Sequence, residues 1–173
     1  MPTVTFETDL GWIAFHATPL GVAALTFGHE DAAAATQALR SLCDDSEEPA
    51  DWVFDARRLL EEFAAGAAVD LNQIPLDLPS ATAFQSRVRE AVRQLQYGQT
   101  ASYGEIAARV GAPGAARAVG TVMSTNPLPL LIPCHRVLGG GGRLGGYSAP
   151  QGLAMKRQLL DMEQGVASLV GSR

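Results

Sequence analysis

"SYGEIAARVGAPGAARAVGTVMS", residues 102–124, decides the fold of the second half of this chain. Two short helical patterns flank a Gly-Ala-Pro-Gly break. Ser102 followed three residues later by Glu105 is a capping-box signature and predicts a helix over 102–110, and the small and apolar residues after the break predict another over 115–124. Helices at that spacing make a helix-turn-helix candidate, the first bracing and residues 114–124 offered to DNA. Composition limits how that second helix could bind. Gly114, Ala115, Ala116, Ala118 and Gly120 would let its backbone approach another surface closely, and Arg117 is its one long cation. A helix that reads the major groove usually carries several Asn, Gln, Arg or Lys side chains, whereas small residues with one arginine suit a narrow minor groove. A tightly packed internal helix with Arg117 at its edge fits the same spacing equally well.

Outward from this stretch the halves differ in charge. Residues 1–80 hold three Arg/Lys against fourteen Asp/Glu, and residues 81–173 hold ten against four, within a net charge of −5. The basic half is the one a polyanion would bind, although a solvated charged surface is the ordinary outcome of such asymmetry. The composition, 47% apolar and 18% charged, is that of a globular protein and excludes general disorder. No run of about 18 apolar residues is present, and MPTVTFETDLGW has no basic segment followed by an apolar one. The expectation is a cytoplasmic protein with no membrane association. The two cysteines, Cys43 and Cys134, provide no disulfide framework.

The first half reads as a small antiparallel sheet, with strands in 3–8, 11–17 and 20–27, followed by helices over 31–43 and 51–66. "LNQIPLDLPSAT" (71–82) connects the halves, and helices are expected over 83–96 behind Thr82 and over 151–163 beyond Pro150. The division predicted is an N-terminal domain of residues 1–76 and a C-terminal domain of residues 77–173.

"NPLPLLIPCHRVLGG" (126–140) carries the reactive chemistry. Pro127, Pro129 and Pro133 exclude a central strand and point to a rigid extended connector, with Asn126 fixing a turn before the first proline. Cys134 follows Leu130, Leu131 and Ile132, where desolvation opposes ionisation, so a working thiol would need a base. His135 is adjacent, but if the segment is extended the two side chains face opposite ways, so direct contact is not assured and a water could bridge them. A histidine base also needs its second ring nitrogen held, and the carboxylates after Glu105 are Asp161 and Glu163. From the residues alone, a buried inert cysteine is favoured. "GGGGRLGGY" (139–147) supplies backbone freedom, and Tyr147 and Ser148 add an aromatic face and a hydroxyl.

"IPCHRV" (132–137), with "ARAVGTVMSTNPLPLL" (116–131) before it and "GGYSAPQGLAMKRQLLDME" (145–163) after it, resembles the O6-alkylguanine-DNA alkyltransferases, also called methylated-DNA–protein-cysteine methyltransferases. The similarity extends back through "TAFQSRV" (82–88) and "YGQTASYGEIA" (97–107), covering residues 77–164 without a gap. It implies an α+β fold: a ribonuclease H-like N-terminal domain of antiparallel sheet and helices, then a mostly helical, winged-helix-like DNA-binding domain. It further implies direct reversal of DNA damage, with single-turnover transfer of an alkyl group from O6-alkylguanine to Cys134, and leaves O4-alkylthymine open as a second substrate. In that scheme His135 takes the thiol proton through a bound water, Glu163 orients His135, and Asn126 braces the turn. Arg117 replaces the flipped nucleotide from the minor groove and Tyr103 presses on the adjacent phosphate, with Ser102 and Ala116 also at the DNA. Tyr147, Ser148, Val137, Met123 and Pro129 line the pocket, and Tyr147 gives a proton to the departing guanine. The implied partner is double-stranded DNA bearing the lesion, the implied state without DNA is a monomer, and no cofactor is called for.

Several positions depart from the family pattern. Arg89 stands where a tryptophan is common, "QYGQT" replaces a proline-containing turn, and "GGYSAPQGLAMK" is longer than usual. Relatives with structural zinc use four ligands, against His16, His29 and Cys43 here, so no metal is expected. Two other readings stay open. A lesion-recognition or winged-helix DNA-binding protein would leave Cys134 unmodified, and a Cys-His hydrolase would require an oxyanion hole that the sequence does not display.

Overall fold

The computed structural model describes residues 3–40 and 50–165. Cys43 and the end of the helix predicted over 31–43 lie outside the described residues. Strands β1 (Thr3–Phe6), β2 (Trp12–Thr18) and β3 (Gly21–His29) form an antiparallel sheet in sequence order, with Val4 opposite Phe15 and Phe15 opposite Leu25. β2 is central, and its residues Ile13–Ala17 are all buried, so it reads as a near-continuous apolar run and not as an alternating one. Helix α1 (Ala32–Ala38), capped by the Asp31 carboxylate on the Ala34 N–H, sets Ala35 against Ala14 and Ala24 of the sheet. Helix α2 (Asp51–Ala64) buries Leu60 and Phe63. Asp51 is its first residue and not its cap, which puts a negative charge at the positive end of the helix dipole.

The connector after α2 docks beside β3. The Val22 N–H donates to the Pro75 carbonyl (2.9 Å) and the Asp77 N–H to the Val22 carbonyl (2.9 Å). Gly21 makes this approach possible, since a Cβ there would sit 2.5 Å from the Pro75 carbonyl carbon.

By its internal contacts the chain divides into two compact units, one running to Ser80 and including Pro127–Leu131, the other holding Ala81–Asn126 and the residues from Ile132 onward. Residues 127–131 thus differ from the expectation of an uninterrupted C-terminal domain after residue 76. The physical reason is local. The Leu25 N–H of β3 donates to the Pro127 carbonyl (2.9 Å), and Leu128, Leu130 and Leu131 are buried, Leu130 with a left-handed φ of 71°. What read as a connector is core.

The second unit is mostly helical. Helix α3 (Ala83–Arg93) starts with a full capping box between Thr82 and Gln85, and α4 (Tyr103–Arg109) with one between Ser102 and Glu105. α5 (Ala116–Ser124) follows the turn at Gly111–Ala115, where Gly111 and Gly114 take left-handed φ of 75° and 89°. The strand content here is a two-residue parallel pair, β4 (Ala101–Ser102) with β5 (Val137–Leu138). α6 (Leu153–Glu163) packs against a 3-10 turn formed by Cys134–Arg136. The antiparallel sheet followed by helices is the α+β class that the sequence implied.

Candidate active site

Cys134 sits in that 3-10 turn. The backbone there is not extended: the Arg136 N–H closes the turn on the Pro133 carbonyl (2.9 Å), and the Cys134 N–H donates to the Ile132 carbonyl just before it (2.7 Å). Side chains in a 3-10 turn project about 120° apart, so Cys134, His135 and Arg136 need not alternate between two faces. Cys134 is a free thiol, 4% exposed. Asn126, at the end of α5, donates from Nδ2 to the Ile132 carbonyl (2.8 Å) and to Cys134 Sγ (3.3 Å). One amide therefore fixes the entry to the turn and offers a hydrogen-bond donor to the sulfur. Burial pushes the Cys134 thiol up, while the Asn126 hydrogen bond and the Lys156 charge pull it down.

His135 is fully buried and its Nε2 lies 2.7 Å from Glu163 Oε1. Three further donors hold the carboxylate: Arg136 Nε reaches Oε1 (3.1 Å) and Oε2 (2.9 Å), Arg136 Nη2 reaches Oε1 (2.8 Å), and the Gly98 N–H reaches Oε2 (3.0 Å). Burial alone would raise the Glu163 carboxyl, but the hydrogen bonds from His135 and Arg136 outweigh it and hold the group at about 2. An ionised carboxylate only accepts hydrogen bonds, so Nε2 carries the proton and Nδ1 is left with the lone pair of a base. Burial lowers His135 despite Glu163, which keeps the ring neutral at pH 7.

A cavity of about 800 Å³ opens over the thiol. Tyr103, Arg117, Met123, Cys134, Tyr147 and Ser148 line it, together with Ser102, Ala116 and glycines of the 140–146 loop. Of the pocket residues the resemblance pointed to, Val137 is fully buried and does not line it, and its carbonyl accepts from Lys156 Nζ (2.7 Å). Pro129 belongs to the other compact unit and is likewise not in the lining. Tyr147 is pushed well above a normal phenol by burial and by the neighbouring Cys134, so it stays protonated. Burial also raises Tyr103. Gly145 lies close against Tyr103: a Cβ at 145 would fall 2.6 Å from the phenol oxygen, so the Tyr103 side chain would have to shift. On α5 the exposed residues are Arg117, Ala118, Thr121 and Ser124, so a single long cation stands on a face of small side chains.

Sequence reasoning missed Arg136 and Lys156, both buried. Arg136 stands inside the quoted "PCHR", and its contact with Glu163 could have been sought there. Lys156 carried one weak signal, its seven-residue spacing from Glu163, which puts both on one face of a helix.

Residues 83–165 match the family model for the 6-O-methylguanine DNA methyltransferase DNA-binding domain. A methylated-DNA–protein-cysteine methyltransferase of Mycolicibacterium paratuberculosis is 40% identical over 129 residues, 71% of this chain and 77% of that protein. The chain belongs to the methylated-DNA–protein-cysteine methyltransferase family. The family member of Mycobacterium leprae is 50% identical over 105 residues, 61% of each chain, so that alignment spans less than two thirds of the relative. The crystal structure of Mycobacterium tuberculosis OGT in complex with DNA superposes with a TM-score of 0.69 at 32% identity, covering 95% of this chain and 94% of that one. Among the described residues, no helix is long and apolar enough to cross a membrane.

Proposed function

We propose that this protein repairs DNA by direct reversal, transferring an alkyl group from O6 of guanine in duplex DNA to Cys134 once per molecule. The observation that carries the reading is the Cys134 thiol at the floor of a cavity, with Asn126 on its sulfur and, next to it on the same short turn, His135 paired with Glu163 of α6. The exposed face of α5 lies along the minor groove, where its small residues allow close approach and Arg117 enters the stack in place of the flipped nucleotide. Flipping is required because a base atom inside a duplex cannot reach a buried sulfur. Tyr103, at the head of α4, bears on the adjacent phosphate.

In the chemical step, Cys134 gives its proton to His135 Nδ1 through an intervening water, and the developing imidazolium is balanced by Glu163. The S–C bond forms as the alkyl C–O6 bond breaks, and Tyr147 donates a proton to the departing guanine. The product is an S-alkylcysteine. A thioether is not displaced under these conditions, so the protein is consumed. The protein acts as a cytoplasmic monomer before it meets DNA.

The test is intact-protein mass spectrometry with peptide mapping after mixing with an excess of duplex containing one O6-methylguanine. A gain of one methyl group per chain, mapped to Cys134, supports the reading. An unmodified thiol with retained binding to that duplex would leave a lesion-recognition protein instead.

A further inference from the structure

Lys156 takes no part in the steps above, yet its surroundings are unusual for a lysine. It is 0% exposed, and lysines are almost never fully buried unless paired. Lys156 Nζ donates to the Val137 carbonyl (2.7 Å) and lies 5.9 Å from the ring centroids of both Tyr103 and Tyr147. Among the described residues it has no carboxylate partner. A buried ammonium held by one carbonyl and two aromatic faces leaves much of its desolvation cost uncompensated, which is the setting in which an anion forming nearby is stabilised most.

The placement within α6 sharpens this. Lys156 and Glu163 are seven residues apart, two turns along one face of the same helix. Glu163 holds His135 and Arg136, while Lys156 holds Val137, the residue that follows them. The helix thus grips the Cys134–Arg136 turn at two points of opposite charge. We propose that Lys156 is a positioning residue for alkyl transfer: anchored on the Val137 carbonyl between Tyr103 and Tyr147, it sets these two pocket walls and supplies the positive charge that balances the Cys134 thiolate.

Burial dominates both groups, raising the Cys134 thiol and lowering Lys156, and their mutual attraction works against it on each side, Lys156 drawing the thiol down and Cys134 raising Lys156. The other charged or titratable groups around the turn are His135 and Arg136 on the turn itself, Glu163 on α6, Tyr103 on α4 and Tyr147 in the loop. Of these, Arg136 has its charge committed to Glu163. Arg117 lines the same cavity but is exposed to solvent, so among the described residues around the turn Lys156 is the buried cation with no carboxylate to neutralise it.

The proposal rests on Cys134 being the alkyl acceptor, and its test separates the two ideas. Cys134 carboxamidomethylation by iodoacetamide is followed against pH, without DNA, in the full-length wild type, Lys156→Met and Lys156→Arg, beside thermal melts and single-turnover transfer from an O6-methylguanine duplex. Lys156→Met removes a buried charge at similar volume and with it the donor to the Val137 carbonyl, two effects of opposite sign on stability whose balance the melts read. Its alkylation profile should move up by at least about one pH unit, so that labelling at pH 7 falls about tenfold, with transfer falling in parallel. Lys156→Arg, which keeps the charge, should recover most of the profile. A Lys156→Met protein whose profile overlays wild type overturns the proposal, whether or not its melting temperature changes, and Lys156→Gln gives the same comparison should the methionine variant not fold. If wild-type protein accepts no methyl group, the repair reading fails, and the iodoacetamide profiles still decide the role of Lys156.

Discussion

His135 Nε2 and Glu163 Oε1 stand 2.7 Å apart with both side chains out of reach of solvent, and Arg136 closes on the same carboxylate from the other side. Glu163 is therefore shared between a base and a permanent cation, and its charge cannot be removed without leaving Arg136 uncompensated. Glu163→Gln keeps the shape and removes the charge. Breaking a buried pair from one side costs about 3–5 kcal/mol, and loss of an oriented base costs about 10²-fold or more in rate. Urea denaturation and single-turnover alkyl transfer should show both losses. A variant as stable as wild type would mean that the carboxylate is not ionised in the native protein.

The same pair fixes how stability depends on pH. His135 is lowered from its ordinary 6.5, so the unfolded chain takes up a proton there while the native ring does not. Stability should decline as pH falls below about 6.5. Glu163 is held at about 2 against an ordinary 4.5, so its contribution is complete above pH 4.5 and is lost as pH falls toward 2. Both contributions fall in the same direction, giving a gentle decline followed by a steeper one. Melting temperatures between pH 8 and pH 3 should show this for wild type, and His135→Gln should lack the first segment only.

Asn126 joins the end of α5 to the Cys134–Arg136 turn by two bonds from one nitrogen, to Ile132 and to the sulfur. Asn126→Ala leaves the buried Ile132 carbonyl unsatisfied, at about 1–3 kcal/mol, and removes a donor that favours thiolate over thiol. Asn126→Asp would add a negative charge facing the sulfur and should suppress thiol labelling further than alanine does. Labelling rates at fixed pH, ranked wild type, alanine, aspartate, would bear this out; equal rates would not.

Arg117 is exposed on α5, so Arg117→Ala should change stability by less than about 0.5 kcal/mol. Its loss should weaken duplex binding and reduce the salt slope by about one counterion. Repair of a lesion in duplex should slow, whereas transfer from the free base O6-methylguanine, which needs no flipping, should be unchanged. Equal slowing of both would place Arg117 in the chemistry and not in nucleotide extrusion.

How far the sequence could be read follows from the range of each interaction. The helix starts at Thr82 and Ser102 were legible because a capping box is local, complete within four residues. Glu163 as the partner of His135 was open to chain reading only as one of two carboxylates, since 28 residues separate the pair and the resemblance supplied the choice. The course of Cys134–Arg136 is not legible in the sequence, because prolines that exclude a strand do not specify the 3-10 turn that stands there. Residues 127–131 looked like a linker because proline content was weighed above the leucines, which are buried and tied to β3. Lys156 was invisible because charged residues on a helix are usually solvated, and only packing reveals the exception.

Arg89 offers a test in which the family pattern and the physics agree. It lies in α3, 9% exposed, and its Nε and Nη1 find no hydrogen-bond acceptor among the described residues. Val88 and Val92, its neighbours on the helix, are fully buried, so the guanidinium is held where its hydration is lost and little replaces it. Members of this family commonly carry tryptophan here, an apolar group of comparable reach. Replacing a buried, unsatisfied donor by an apolar side chain should stabilise the fold by about 1–3 kcal/mol. Arg89→Trp and Arg89→Met should therefore raise the melting temperature, with alkyl transfer to Cys134 unchanged. If both variants melt lower, the guanidinium has a stabilising partner, and if both melt higher but bind duplex more weakly, Arg89 trades stability for a phosphate contact made from its remaining nitrogen, Nη2.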